Sequence, residues 1–207
     1  MNIRRRINLY RRYPYWKKQE CIYIHIPKVA GTSINHALYG RTLGHYSAME
    51  IREKFPQLYA NCFTFSFVRN PWERTLSAYR FAKKGGTETM GVNNPMQHQI
   101  PEFDSFESFI HEWLANKKLS SLDYIFRPQS NFIYDQNDIL IIDYLGRLEN
   151  LDSDIREINK LTKKSISVPR LNFTAAENNY RDYYNTNMLD LVAQIYKRDV
   201  QLFNYEY

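Results

Sequence analysis

The stretch CIYIHIPKVAGTS, residues 21–33, decides the fold class of this chain. It opens with a β-branched and aromatic run that stops at Pro27, which is typical of a buried strand ending in a loop. Residues 32–39 contain no glycine or proline and are followed by Gly40, so they predict a helix with a glycine stop. Where a strand turns into a helix in this way, backbone N–H groups converge on one place. Such a loop favours the binding of an anion.

The side chains of this loop suit a phosphate-like group. Lys28 supplies a positive charge, and Thr32 and Ser33 supply hydroxyl donors in the first turn of the helix. Gly31 has no side chain, so the backbone can approach a ligand closely. The lysine comes three residues before the only glycine of the loop, whereas in a Walker A loop it directly follows the second glycine. This difference argues against an ordinary ATPase or kinase.

A second strand-to-helix turn lies at residues 62–84, and it carries an arginine and a serine. Arg69 leaves the predicted strand, and its guanidinium can donate two parallel N–H bonds to a phosphate. Ser77 lies about two turns into the helix and offers a further donor. Asn70 is a helix cap, and Glu73 three residues later can complete a capping box.

Both turns resemble the donor-binding motifs of sulfotransferases that use 3′-phosphoadenosine 5′-phosphosulfate (PAPS). Residues 25–33, HIPKVAGTS, resemble the 5′-phosphosulfate loop of the carbohydrate branch, often written HIPKx[AG]GT[ST]. Residues 67–79, FVRNPWERTLSAY, resemble the 3′-phosphate motif, VR[ND]PxxRxxS. The resemblance spans about residues 20–207 and implies that the donor is bound by Lys28, Val29, Ala30, Gly31, Thr32, Ser33, Arg69 and Ser77. Within this site, Lys28 is the candidate to neutralise charge on the leaving group.

Short strands and helices alternate along the chain and predict an α/β fold. We expect strands at residues 21–26, 62–68 and 139–142, and helices at 32–39, 71–84, 106–114, 150–161 and 188–203. The 106–114 helix is expected to be capped by Asp104, and Leu161 is expected on the inner face of the 150–161 helix. The polar stretch 87–99 predicts a long loop of the kind that often covers a site. The order of elements, taken with the resemblance, predicts a P-loop-like nucleotide-binding fold with a central, mostly parallel sheet flanked by helices.

Composition favours a globular protein with an anionic partner. The 207 residues are 43% apolar, and 28 Lys and Arg outnumber 22 Asp and Glu to give a net charge of +6. We expect residues 1–19 to be a basic, solvated arm and residues 20–207 a single sulfotransferase domain. No signal-peptide pattern or long apolar run is present, so we expect a cytoplasmic enzyme without stable membrane insertion. Cys21 and Cys62 each open an apolar run and are predicted to be buried thiols.

The acceptor hydroxyl needs a general base. His45 lies between the first predicted helix and the second predicted strand, where uronyl sulfotransferases resembling this chain carry their basic histidine. An imidazole titrates near neutral pH, which suits this task. Glu50 and Glu53 remain alternatives because other carbohydrate sulfotransferases use a carboxylate, and His98 lies in the predicted covering loop.

The acceptor itself is expected to be a carbohydrate: a glycan, a glycolipid or an oligosaccharide. Residues 127–130, RPQS, resemble a family segment near the reaction centre. Arg127 and Gln129 could therefore bind sugar hydroxyls or carboxylates, although a polar loop between helices explains them equally well. No metal-ligand pattern is present in the sequence, and none is needed for sulfuryl transfer.

Two other functions stay open at this point. One is a P-loop-like kinase, and the other is a non-catalytic nucleotide-binding or nucleic-acid-binding protein, suggested by the basic arm. The sequence contains no helix-turn-helix or RNA-binding signature, so we expect no nucleic-acid partner.

Overall fold

A computed structural model describes residues 3–86, 91–92, 94–168 and 179–207. The strands are β1 (Cys21–Tyr23), β2 (Phe63–Val68) and β3 (Tyr144–Arg147). The α-helices are α1 (Ile3–Tyr10), α2 (Tyr13–Gln19), α3 (Gly31–Tyr39), α4 (Ala48–Lys54), α5 (Pro56–Asn61), α6 (Pro71–Lys83), α7 (Phe106–Ser108), α8 (Ser130–Ile133), α9 (Leu151–Thr162), α10 (Thr186–Ile195) and α11 (Lys197–Phe203). The chain divides into a first compact unit, Met1–Val68 with Asn131–Leu171, and a second, Arg69–Ser130 with Asn172–Tyr207.

The sheet of the first unit consists of three parallel strands in the order β1-β2-β3. Cys21 pairs with Phe63, and Phe65 pairs with Tyr144. Phe65 and Phe67 on one face of β2 and Thr64 and Ser66 on the other are all buried, as expected for a parallel sheet whose two faces are covered. The predicted α/β class, with a parallel sheet and flanking helices, is confirmed.

The third strand was predicted at residues 139–142, and this prediction is wrong. Ile139 and Leu140 are 57% and 36% exposed, and the parallel pairing with β2 begins only at Tyr144. Asp143 fixes the register, because its carboxylate accepts hydrogen bonds from the Thr64 backbone N–H (2.7 Å) and hydroxyl (2.8 Å). A short apolar run therefore determines neither burial nor which residues pair with a neighbouring strand.

Residues 3–19 form two packed helices, so the expectation of a solvated basic arm is also wrong. Leu9 and Trp16 are buried in the first unit. Arg5 forms an ion pair with Glu50 at 2.6 Å, and the Arg12 Nε donates to the Leu43 carbonyl at 3.0 Å. The arginines hold these helices to the unit through specific contacts. Only Leu9 and Trp16 of the apolar residues in this basic stretch are fully buried, while Ile3 and Ile7 are exposed, so the sequence pattern does not reveal the packing.

The predicted helices are present with local differences, whereas α4, α5 and α8 were not predicted. The 106–114 helix is α-helical only in α7 and continues as a π-helical turn, Phe109–Trp113. The 188–203 helix is divided at Tyr196 into α10 and α11. Ser105, not Asp104, caps α7 by accepting the Ser108 N–H, and Leu161 is 53% exposed. Within the predicted 87–99 loop, residues 87–90 and 93 lie outside the described residues, and Pro95–His98 forms a 3-10 turn.

The two cysteines are buried thiols, as predicted. Burial raises the pKa of Cys21 to about 12, so this thiol stays protonated near neutral pH.

Candidate active site

The loop between β1 and α3 has the backbone of an anion-binding turn. Lys28 and Ala30 both have positive φ angles, 71° and 59°, which are uncommon for residues with a side chain. Left-handed residues in a turn bring successive N–H groups to one side of the chain. The helix α3 begins at Gly31, directly after Ala30, and contributes the N–H groups of its first turn. This loop therefore combines strained backbone with a helix N-terminus, as phosphate-binding loops do.

Of the six residues predicted for this site, Lys28, Val29 and Ala30 lie in the loop, and Gly31, Thr32 and Ser33 form the first turn of α3. Val29 is fully buried, so its side chain belongs to the core. The side chains of Lys28, Thr32 and Ser33 are half-buried, at the end of the loop and in the first helical turn.

Gly31 is required by the packing of His25. A Cβ added at Gly31 would overlap the Cδ2 and Nε2 atoms of the His25 ring. A ligand was predicted to approach the Gly31 backbone closely; in this structure the His25 ring does so. The buried Asn35 amide donates to the Gly31 carbonyl at 2.8 Å and accepts from the Leu43 N–H at 3.3 Å. These bonds fix the start of α3.

His45 lies beside His25. Its Nδ1 is 2.9 Å from the His25 backbone carbonyl, and the two ring centroids are 4.2 Å apart. Since a carbonyl oxygen only accepts, this contact selects the tautomer with a proton on Nδ1 and the lone pair on Nε2. The Arg5 guanidinium donates to the His45 carbonyl at 2.8 Å and fixes the backbone of the same residue.

His25 is itself a neutral, buried imidazole. It is 5% exposed, and burial, followed by the nearby His45, holds the pKa of His25 well below its usual value. The two rings therefore differ in environment, because His45 is only half-buried.

The three alternative candidates for the general base, Glu50, Glu53 and His98, differ in their contacts and exposure. Glu50 accepts from Arg5 and completes a capping box with Ser47 at the start of α4. Burial would raise the pKa of Glu50, but the hydrogen bonds from Arg5 and Ser47 and the Arg5 charge together lower it. Glu53 is exposed on α4. His98, in the second unit, is 2% exposed and packs against the rings of Phe103, Trp113 and Phe126.

Arg69 is the first residue after β2 and belongs to the second unit. Its guanidinium donates to the Glu73 carboxylate at 2.7 Å. Asn70 caps α6 as predicted, because its side chain accepts the N–H groups of Trp72 and Glu73. Ser77 is half-buried and follows Glu73 by four residues, which places it on the same side of α6.

Arg127 and Gln129 have different surroundings. The Arg127 guanidinium stacks on the Tyr124 ring at 4.2 Å, and its Nε donates to the Leu122 carbonyl at 2.8 Å. Arg127 also lines a cavity of about 270 Å³, together with Trp113 and several polar residues. Gln129 is fully buried, and both ends of its amide bond the Arg69 backbone, at 3.0 Å and 2.8 Å.

Sequence reasoning missed Asp199, which is fully buried in the second unit. Its carboxylate accepts from the Gln129 N–H (2.6 Å), the Ser130 N–H (2.9 Å) and the Ser130 hydroxyl (2.6 Å). Burial raises the pKa of Asp199, and these bonds and the Arg74 charge oppose the rise. A signal was present: Asp199 follows Tyr196 by three residues and precedes Phe203 by four, so all three share one buried side.

Two features are absent from the described part of the chain. No helix there is long and apolar enough to cross a membrane. No group of three or more His, Cys, Asp or Glu residues in the same ranges is arranged to hold a metal ion.

Comparison with known proteins identifies the family. Residues 11–206 match the sulfotransferase family, so the chain belongs to it, and its P-loop-like fold is that of the family. An uncharacterized protein of Archaeoglobus fulgidus is 28% identical to this chain over 141 residues, which cover 60% of this chain and 88% of that one. No solved structure matches the chain.

Proposed function

We propose that this sulfotransferase uses PAPS as donor and a carbohydrate hydroxyl as acceptor. The observation that carries the proposal is the loop after β1, with two left-handed residues followed directly by the start of α3. Family membership supports sulfuryl transfer in general and favours it over the kinase alternative.

The residues of the donor loop fit a phosphosulfate group. The turn at Lys28 and Ala30, with the first N–H groups of α3, would hold the 5′-phosphosulfate, and Thr32 and Ser33 would add hydroxyl donors. Arg69 and Ser77 would hold the 3′-phosphate, for which a guanidinium is well suited. When bound, PAPS would supply the sulfuryl group that the acceptor oxygen attacks. Lys28 would neutralise negative charge on the leaving side.

His45 is the proposed general base. The bond from its Nδ1 to the His25 carbonyl leaves Nε2 as the basic nitrogen and fixes the ring orientation. Glu50 is a weaker candidate because its carboxylate is engaged by Arg5 and Ser47, and its lowered pKa makes it a poor proton acceptor.

The proposed acceptor is a sugar. Arg127 lines a cavity with Trp113 and polar side chains such as Asn94 and Gln97, and aromatic and planar polar groups together suit a carbohydrate. Gln129 is better explained by its bonds to Arg69 than by acceptor contact.

A lysine substitution tests the role of the donor loop. Lys28→Ala should lower turnover with PAPS by about a hundredfold or more, because charge on the leaving side loses its partner. Release of adenosine 3′,5′-bisphosphate with a sugar acceptor measures this. Lys160→Ala is the matched control, since Lys160 is an exposed lysine of α9 in the same unit. Near-normal turnover of a folded Lys28→Ala protein would remove Lys28 from the mechanism.

A further inference from the structure

The backbone of Arg69 is held by a side chain. The Gln129 Oε1 accepts from the Arg69 N–H at 3.0 Å, and the Gln129 Nε2 donates to the Arg69 carbonyl at 2.8 Å. The amide thus bonds the donor and the acceptor of one residue, as a neighbouring strand would. Both bonds must break before the Arg69 backbone can shift.

Gln129 is in turn fixed by Asp199. The Asp199 carboxylate accepts from the backbone N–H of Gln129 at 2.6 Å and from the backbone and hydroxyl of Ser130. Gln129, Ser130 and Asp199 are all fully buried. A continuous chain of hydrogen bonds therefore runs from α11 through residues 129–130 to the residue that follows β2.

Stability alone does not explain this arrangement. A buried carboxylate loses its hydration, and apolar residues of similar volume often stabilise a core equally well or better. A network of several hydrogen bonds among fully buried groups does, however, fix geometry. Its last member is Arg69, whose guanidinium is held at 2.7 Å from Glu73.

We propose that Gln129 and Asp199 are positioning residues that fix Arg69 for binding the 3′-phosphate of the donor. The inference rests on the proposed function in one point, namely that Arg69 binds this phosphate. Neither residue touches the donor; each acts through the Arg69 backbone.

The experiment measures by calorimetry the affinity of the protein for adenosine 3′,5′-bisphosphate and for adenosine 5′-phosphate. The ratio of the two affinities measures how much the 3′-phosphate contributes to binding, and it is insensitive to a general loss of stability. The variants are Arg69→Ala, Gln129→Met, which keeps the volume of the side chain, and Asp199→Asn. The control is Asp154→Asn, because the Asp154 carboxylate likewise accepts a backbone N–H (Arg147, 2.7 Å) and a hydroxyl (Tyr144, 3.0 Å), but in the first unit.

We expect Gln129→Met to weaken binding of the bisphosphate by about tenfold and to leave binding of the monophosphate nearly unchanged, because two hydrogen bonds to the Arg69 backbone are lost. Asp199→Asn should change the ratio in the same direction, and it decides the question if Gln129→Met does not fold. Asp154→Asn should lower the melting temperature and keep the wild-type ratio.

The outcomes separate the two claims. If Arg69→Ala selectively weakens the bisphosphate while folded Gln129→Met and Asp199→Asn keep the wild-type ratio, the positioning role is wrong and the proposed function stands. If Arg69→Ala weakens both ligands equally, Arg69 does not read the 3′-phosphate, and the positioning role falls with it.

Discussion

Substitution of Gly31 by alanine tests the packing of the donor loop most sharply. The added Cβ would overlap the His25 ring, so either the ring or the start of α3 must move. Overpacking of a filled site costs about 1–3 kcal/mol. Without the clash, Gly31→Ala would stabilise the protein, because alanine is favoured over glycine in a helix by up to about 1 kcal/mol. Gly31→Ala should therefore destabilise the wild-type protein but not a His25→Ala protein.

A double-mutant cycle in urea measures this coupling. The cost of Gly31→Ala in the wild type should exceed its cost in the His25→Ala background by about 1–3 kcal/mol. Gly91→Ala is the control, since an added Cβ there would meet no heavy atom of the described residues within 4 Å. Equal costs of Gly31→Ala in the two backgrounds would refute the contact between Gly31 and His25.

Three further predictions concern titration and catalysis. Because the pKa of His25 in the folded protein lies below its unfolded value, the free energy of unfolding should decline as pH falls below about 6.5, by up to about 1.4 kcal/mol per pH unit. Urea titrations at several pH values should show a smaller dependence of this free energy on pH for His25→Gln. The dependence that remains is expected from His98, because burial also lowers its pKa. His45→Ala should cut kcat by about a hundredfold with donor affinity unchanged, and its kcat/KM profile should lose the acidic limb. Glu50→Gln should lower the melting temperature, because Glu50 caps α4 and pairs with Arg5, but it should keep the acidic limb of the kcat/KM profile. Loss of this limb in Glu50→Gln but not in His45→Ala would make Glu50 the base.

The sequence predicted the parts of the fold that depend on local signals. The glycine stop at Gly40 and the Asn70 cap act within a few residues, so α3 and the start of α6 were predicted to within one residue. The strand β1 begins at Cys21 as predicted but ends at Tyr23, three residues before the predicted end. The third strand was misplaced because its register depends on Asp143 and Thr64, which are 79 residues apart. No local pattern contains such a pairing.

The candidate site divides in the same way. Lys28, Thr32 and Ser33 lie within six consecutive residues at the start of α3, so their grouping follows from the sequence. The packing of His25 on Gly31 and the bond from His45 to the His25 carbonyl depend on how the chain folds back. The same holds for Gln129, where the sequence suggested contact with a sugar and the structure shows bonds to the Arg69 backbone.

The choice of donor is the most direct test of the account. Wild-type protein would be incubated with a carbohydrate acceptor library in the presence of a chelator and either PAPS or ATP, and the acceptors would be analysed by mass spectrometry. We expect that a sugar gains one sulfuryl group with PAPS, that adenosine 3′,5′-bisphosphate appears in equal amount, and that ATP gives no phosphorylated product. Failure of PAPS to modify any sugar, or phosphoryl transfer from ATP, would contradict it.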